Sequence, residues 1–228
     1  MRYFPLNIEL NKKLTLLVGG GEVAERKLDL LVKAKSKIII ISPKFTDYLR
    51  TFSDNPEITF VESKYCSSIM NEYQFSFVIA ATDDEELNKE IAKDANSKNI
   101  LVNVVDRPEI CDFIFPSILE RGPVTVSVST GGASPVLARM LRTKLETSIP
   151  GGYGKLAKIV SDNRVIVRKK FKSFKSNRIF WEEILNSKFV DLVLSGQEGA
   201  AEKFLEKEID NFNEDKKGEG EVYLVGAG

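Results

Sequence analysis

Three sets of residues in this chain have types and spacings that could do chemistry. The first is Leu14-Thr-Leu-Leu-Val-Gly-Gly-Gly-Glu-Val-Ala-Glu-Arg-Lys27, an apolar run that enters three glycines and then a helical pattern. Gly19, Gly21 and Ala24 fit G-x-G-x-x-G/A. In that pattern the first glycine makes the turn and the second lets a pyrophosphate approach. The small third residue lets helix and strand pack closely. The N–H groups near Glu22 and Val23 would face the anion. The plain alternative is a glycine turn that binds nothing. The second set is Asn103-Val-Val-Asp-Arg-Pro108, where Asp106 follows an apolar strand. It either projects toward whatever the glycine loop holds or simply closes an Asp-x-Pro turn. The third is a basic stretch that includes Arg139, Arg142, Lys144, Lys155, Lys158, Arg164, Arg168, Lys169, Lys170, Lys172, Lys175 and Arg178. It reads either as the wall of a site for a polyanion or as a solvated helix face.

Other positions qualify these three. The acidic residue expected about 20 positions after the glycines, which grips the adenosine ribose, is missing. The second strand ends Ile41-Ser-Pro-Lys44 instead. Ser42 could bond a ribose hydroxyl, and Lys44 could favour a 2′-phosphate. Residues alone therefore leave NAD and NADP open. Ala80 and Ala81 are small enough for a nicotinamide ribose to approach, or for close packing alone. The chain has no histidine, so any proton transfer falls to Asp, Glu, Lys, Tyr or Cys. Cys66 and Cys111 have no metal-ligand spacing and read as buried thiols. No permanent metal site is expected.

The elements that must position these residues alternate. Strands are expected at 14–18, 37–42, 58–62, 75–81 and 100–105, with helices at 23–34 and 84–97, the latter capped by Thr82. Alternation of this kind predicts an α/β fold with a doubly wound parallel sheet, ligands lying at the carboxyl ends of the strands. From Asp112 the pattern changes to two β-like runs, 113–119 and 124–129, around Glu120-Arg-Gly-Pro123. Ser134 then reads as an N-cap with Pro135 at the first position of a helix. Further helices are expected at 155–174, 178–194 and 198–208. There are no internal repeats.

Composition narrows the classes. With 228 residues, 43% hydrophobic and 29% charged, and a net charge of zero, the chain suits one large or two small soluble domains. Zero net charge gives no global case for nucleic acid or a membrane. No apolar run reaches the roughly 18 residues of a spanning helix, and Met1-Arg-Tyr-Phe-Pro is not a signal peptide. A cytoplasmic protein is expected.

Taken in order, Val18–Lys27, Ala80-Ala-Thr-Asp-Asp84, Asn103–Asp106, Pro116-Ser117 and Ser129-Thr-Gly-Gly-Ala-Ser-Pro-Val-Leu-Ala-Arg139 resemble the precorrin-2 dehydrogenase/sirohydrochlorin ferrochelatase module of siroheme synthase, over about residues 1–210. The resemblance implies a Rossmann-like NAD-binding domain at 1–112, a β/α dimerisation region at 113–150 and a small helical domain at 151–210, assembled as a homodimer. It implies that NAD+ takes a hydride from precorrin-2 to give sirohydrochlorin, and that Fe2+ is then inserted as a substrate to give siroheme. Asp106 matches the catalytic aspartate, a base in both steps and a contact for iron during chelation. Cofactor positions fall on Gly19 and Gly21–Val23, Ser42–Lys44, Ala80–Thr82, and Asn103 with Val104. The polycarboxylate tetrapyrrole is expected at Ser129, Thr130, Gly131, Arg139 and Arg142. Thr130 stands where some members have a serine reported as a phosphorylation and chelatase-related site. Residues 211–228 read as a linker and, at Gly220–Gly228, as the start of the C-methyltransferase domain found in fused enzymes.

Two alternatives use the same residues differently. A non-catalytic NAD(H)-sensing domain needs the glycine loop but neither Asp106 nor the basic stretch. A nucleic-acid-binding protein would use the basic helices, but zero net charge and the lack of a recognisable motif speak against it.

Overall fold

The structure is a computed structural model and describes residues 2–171 and 173–212. The expected linker past Phe212 and methyltransferase start, and Lys172 of the basic stretch, lie outside the described residues. The chain divides into two compact units. One is Met1–Phe115 with Gly131–Ala133; the other is Pro116–Thr130 with the chain from Ser134 on.

The first unit is a doubly wound α/β sheet. Strands β1 (Leu14–Val18), β2 (Lys37–Ile41), β3 (Ile58–Val61), β4 (Phe77–Ala80) and β5 (Leu101–Val104) pair in parallel in the order β3-β2-β1-β4-β5. The runs Leu-Leu-Val of β1, Ile-Ile-Ile-Ile of β2 and Phe-Val-Ile-Ala of β4 are buried throughout. A parallel strand covered on both faces must be apolar at successive positions. Alternate residues then serve opposite faces. Leu16, Val18, Ile39, Ile41, Val78 and Ala80 pack with Ile91, Ala92 and Ala95 of helix α4 (Glu85–Ser97). Leu17, Ile38, Ile40, Phe77 and Ile79 pack with Ala24, Leu28 and Leu31 of helix α1 (Glu22–Lys33). At about 1.5–3 kcal/mol for each fully buried large aliphatic side chain, these two layers hold the unit together. Thr15 and Ser36, both buried, are satisfied through a 2.9 Å hydroxyl–hydroxyl bond and the Ser36 hydroxyl's 2.8 Å bond to the Lys13 carbonyl.

Short helices α2 (Asp47–Arg50) and α3 (Ile69–Glu72) fill connections that the sequence pattern leaves as loops. The cap of α4 also differs from expectation. Asp84, not Thr82, accepts from the Glu86 and Leu87 amides, both at 3.0 Å. Two residues nearer the helix, the carboxylate reaches the opening amides that the Thr82 hydroxyl cannot.

In the second unit β6 (Ser117–Arg121) and β7 (Val124–Val128) form an antiparallel hairpin. Helix α5 (Pro135–Ser148) begins as expected, with the Ser134 hydroxyl accepting from the Leu137 amide. Helices α6 (Gly152–Lys170), α7 (Phe174–Leu185), α8 (Lys188–Leu194) and α9 (Glu198–Asn211) follow. Their buried cluster includes Leu156, Val167, Phe171, Phe180, Ile184, Phe189 and Leu205. The single helix expected over 178–194 is two. Ser187 accepts from the Phe189 amide and opens α8, a local side-chain bond that competes with helix continuation. No helix among the described residues is long and apolar enough to cross a membrane.

Candidate active site

The glycine turn is built into the neighbouring strand end. The Gly19 amide donates to the Ile41 carbonyl (2.9 Å), and the Gly20 carbonyl accepts from the Thr46 amide (3.1 Å). Gly19 has φ +135° and faces the Ala81 carbonyl so closely that any Cβ would collide with it. Gly20 is equally confined, against the Lys44 carbonyl and the Ser42 hydroxyl. Gly21 differs, because a Cβ there would meet nothing within 4 Å. Gly21 is the N-cap of α1 and offers no side chain to the opening amides, whereas Asp84 and Ser134 cap α4 and α5. Unpaired amides at the positive end of a helix, beside open space over a glycine, fit a pyrophosphate. Glu22 and Val23 sit in this first turn.

Beside the turn lies a cavity of about 810 Å³ at the carboxyl edge of the sheet. Gly19, Ser42, Pro43 and Thr82 of the expected set line it, with Gly20, Lys64, Tyr65, Asp83 and Lys93. Its volume suits a nucleotide-sized ligand. Thr82 is held by buried Asn88. The Thr82 hydroxyl donates to Asn88 Oδ1 (2.8 Å), and Asn88 Nδ2 donates to the Thr82 carbonyl (2.8 Å). Tyr65 donates to Asp94 at 2.9 Å, and its pKa is raised by burial and by that carboxylate. Lys44 presents its backbone to Gly20 and Ser42, and its side chain is exposed.

Asp106 does not line this cavity. It stands along the same edge. The Ala81 amide bonds the Val18 carbonyl (2.7 Å), and the Val105 amide bonds the Ala80 carbonyl (3.0 Å). The ends of β1, β4 and β5 thereby bring Gly19, Ala80–Ala81 and the Asp106 turn side by side. Asp106 is exposed and has φ +59°, the left-handed region that few side chains adopt. Arg107 beside it pairs with Glu85 and Glu109. Asn103, expected at the cofactor, is buried. Its amide donates to the Phe113 carbonyl at 2.9 Å, so it braces the chain beyond β5; buried Val104 completes that strand.

Three residues of this region escaped the sequence reading. Gly20 was hidden between the two motif glycines. Asn88 carries no motif, although the helical period puts it on the buried face with Ile91 and Ala92. Lys27 is three residues past buried Ala24 and shares its inward side. Its ammonium lies 4.1 Å from the Phe115 ring centroid. Burial lowers its pKa, Arg26 adds to this, and Asp106 and Cys111 oppose it. Cys111 is half-buried, and burial raises its pKa. Cys66, by contrast, is exposed, not buried as expected, and a hydrogen bond from Ser68 lowers its pKa.

Gly131–Ala133 belongs to the first unit, where a Cβ on Gly132 would lie 3.6 Å from Pro108. Ser129, Thr130, Arg139 and Arg142 belong to the second. The Thr130 hydroxyl accepts from the Ser134 amide (3.0 Å) and donates to its carbonyl (3.1 Å). Arg142 pairs with Glu146 at 2.5 Å, and Arg139 is exposed. Lys155, Lys170 and Arg178 also have carboxylate partners, so part of the basic stretch is neutralised within the unit. Among the described residues no group of three or more Cys, Asp or Glu is placed to hold a metal ion.

Comparison with known proteins matches three successive regions of the chain. Residues 6–117 match a family described as putative NAD(P)-binding, 121–148 the sirohaem biosynthesis protein central region, and 152–209 the sirohaem synthase dimerisation region. The chain is similar to siroheme synthases along its whole length. The dimerisation description thus falls on α6–α9, and the central one on the segment that the sequence reading gave to dimerisation. Siroheme synthases of Psychrobacter cryohalolentis, Methylobacillus flagellatus and Pseudoalteromonas translucida are 40%, 42% and 42% identical over the whole chain. The chain spans 46%, 48% and 47% of their lengths, about half of each relative. A solved structure, SirC, precorrin-2 dehydrogenase, matches with a TM-score of 0.76 over 92% of this chain and all of its own, at 19% identity. At that identity the likeness concerns the fold.

Proposed function

We propose that this chain oxidises precorrin-2 to sirohydrochlorin with NAD+ and then inserts Fe2+ to give siroheme, with Asp106 as the base. The observation that carries the reading is the alignment of Gly19, Ala80–Ala81 and the Asp106 turn on three adjacent strand ends, in a chain that matches siroheme synthases along its whole length. NAD+ held along this edge would supply the hydride acceptor. The amides opening α1 would hold its pyrophosphate over Gly21 and Glu22–Val23, with Ser42–Lys44 at the adenosine ribose and Ala80–Thr82 beside the nicotinamide half. Asp106 accepts the proton that the substrate loses as hydride leaves. In the second step Fe2+ replaces two pyrrole N–H protons, and the same carboxylate can take each in turn and hand it to solvent. Ser129–Gly131, Arg139 and Arg142 are assigned to substrate carboxylates, for which arginine offers a paired donor geometry. The family's dimerisation segment supports a homodimer, and the relatives' greater length supports a methyltransferase domain in a longer chain.

The test is the purified chain with precorrin-2 and NAD+. NADH formation with the sirohydrochlorin absorbance change is expected, and a further change on adding Fe2+. Tight NAD+ binding with no turnover would favour a nucleotide-sensing domain instead. Turnover without an iron-dependent step would limit the chain to dehydrogenation.

A further inference from the structure

β5 is an edge strand. Its outward N–H and C=O groups would be left without partners, yet the chain beyond Asp106 doubles back to cover them. At Val102 the Asp112 carboxylate accepts from the amide (2.9 Å), and the Asp112 amide donates to the carbonyl (2.9 Å). At Val104 the cover is a thiol. Cys111 Sγ accepts from the Val104 amide at 3.1 Å, and its S–H can donate to the Val104 carbonyl (3.1 Å) or the Arg107 carbonyl (3.2 Å). These acceptors bracket Asp106, which sits between Val104 and Arg107 with φ +59°. Aspartate tolerates this conformation better than most side chains, and the Arg107 amide closes the turn on the Val104 carbonyl at 3.3 Å.

We infer that Cys111 is a positioning residue for the base: its thiol bridges Val104 and Arg107 and fixes the turn that presents the Asp106 carboxylate. The inference rests on the reading of Asp106 as the base. The thiol acts here as donor and acceptor at once. A neutral S–H does both and a thiolate does not, which agrees with the upward push that burial gives its pKa. A hydroxyl would also do both; a methyl group would do neither and would leave the buried Val104 amide unpaired, while the Val104 carbonyl keeps the Arg107 amide at 3.3 Å.

The test is a mutant cycle on the 228-residue chain with precorrin-2 and NAD+. Cys111→Ala should lower kcat about tenfold or more, since small misplacements of a reacting group cost that much, with the NAD+ dissociation constant within about twofold of wild type. Cys111→Ser should restore most of kcat. In an Asp106→Asn background Cys111→Ala should cost nothing further, because both act through one carboxylate. A wild-type kcat for Cys111→Ala beside an inactive Asp106→Asn would overturn this inference and leave the base reading standing. An equal loss in both backgrounds would also overturn it, marking Cys111 as a general structural residue. A fully active Asp106→Asn would remove the base reading and this inference with it. Should Cys111→Ala fail to fold, Cys111→Ser decides: retained kcat supports the inference, and lost kcat with intact NAD+ binding overturns it.

Discussion

In the first unit the ligand edge is set by backbone: strand ends in register, amides bonded across β1, β2, β4 and β5, and two glycines with no room for a Cβ. In the second unit the buried cluster is made of side chains from α6–α9, and Phe171, Phe180 and Phe212 have their ring centroids within 4.7–5.3 Å of one another. Its outer surfaces keep apolar residues exposed, including Val136, Met140, Val165 and Phe174. The contrast separates two jobs. A backbone-built edge places reacting groups with little freedom, whereas a side-chain-built bundle tolerates surface change but depends on filled volume.

Breaking that contrast begins with volume. Phe180, 1% exposed, should cost about 3–5 kcal/mol of stability as Phe180→Ala, read by chemical denaturation, while NAD+ affinity stays within about twofold. Loss of NAD+ binding in that variant would show that the edge does depend on the bundle. At the edge itself two substitutions in the same turn should dissociate. Gly19→Ala meets both the positive φ and the Ala81 carbonyl and should cost at least the roughly 1–3 kcal/mol of such strain. Gly21→Ala meets open space, so it should leave the melting temperature unchanged while weakening NAD+ by tenfold or more. Equal behaviour of the two in melting and titration would contradict the division of roles between the glycines.

Lys27 sharpens the comparison through pH. Burial lowers its pKa from the ordinary 10.5, so the unfolded chain holds this proton more tightly. Between the lowered value and 10.5 the folded state therefore gains stability as pH rises, and below that window the buried ammonium is a constant cost. Lys27→Met should be the more stable protein at pH 7, with the gap closing as pH approaches 10.5; a gap independent of pH would contradict the assignment. The smallest effect belongs to the bundle surface. Arg178 and Glu182 are 64% and 60% exposed with 3.4 Å between them, and Arg178→Ala should change stability by no more than about 0.5 kcal/mol.

The same contrast explains what could be read without coordinates. Leu14–Val18 falls where the apolar run places it, because a strand buried on both faces leaves a continuous signature. The glycine turn was legible because the Ala81 carbonyl leaves no room for a Cβ at Gly19. The break between α7 and α8 at Ser187 was not, since one local capping bond decides it. Nor were Asn88, Lys27 and Cys111, whose roles come from neighbours distant in sequence: the Thr82 loop, Phe115 and the edge of β5.

The central claim is that the Asp106 turn supplies the base for hydride loss from precorrin-2. Steady-state turnover of Asp106→Asn with precorrin-2 and NAD+, beside direct titration of NAD+, tests it most directly. The account predicts a fall in kcat of about 10²–10⁴ with an NAD+ dissociation constant within about twofold of wild type. Undiminished turnover by the variant would contradict it.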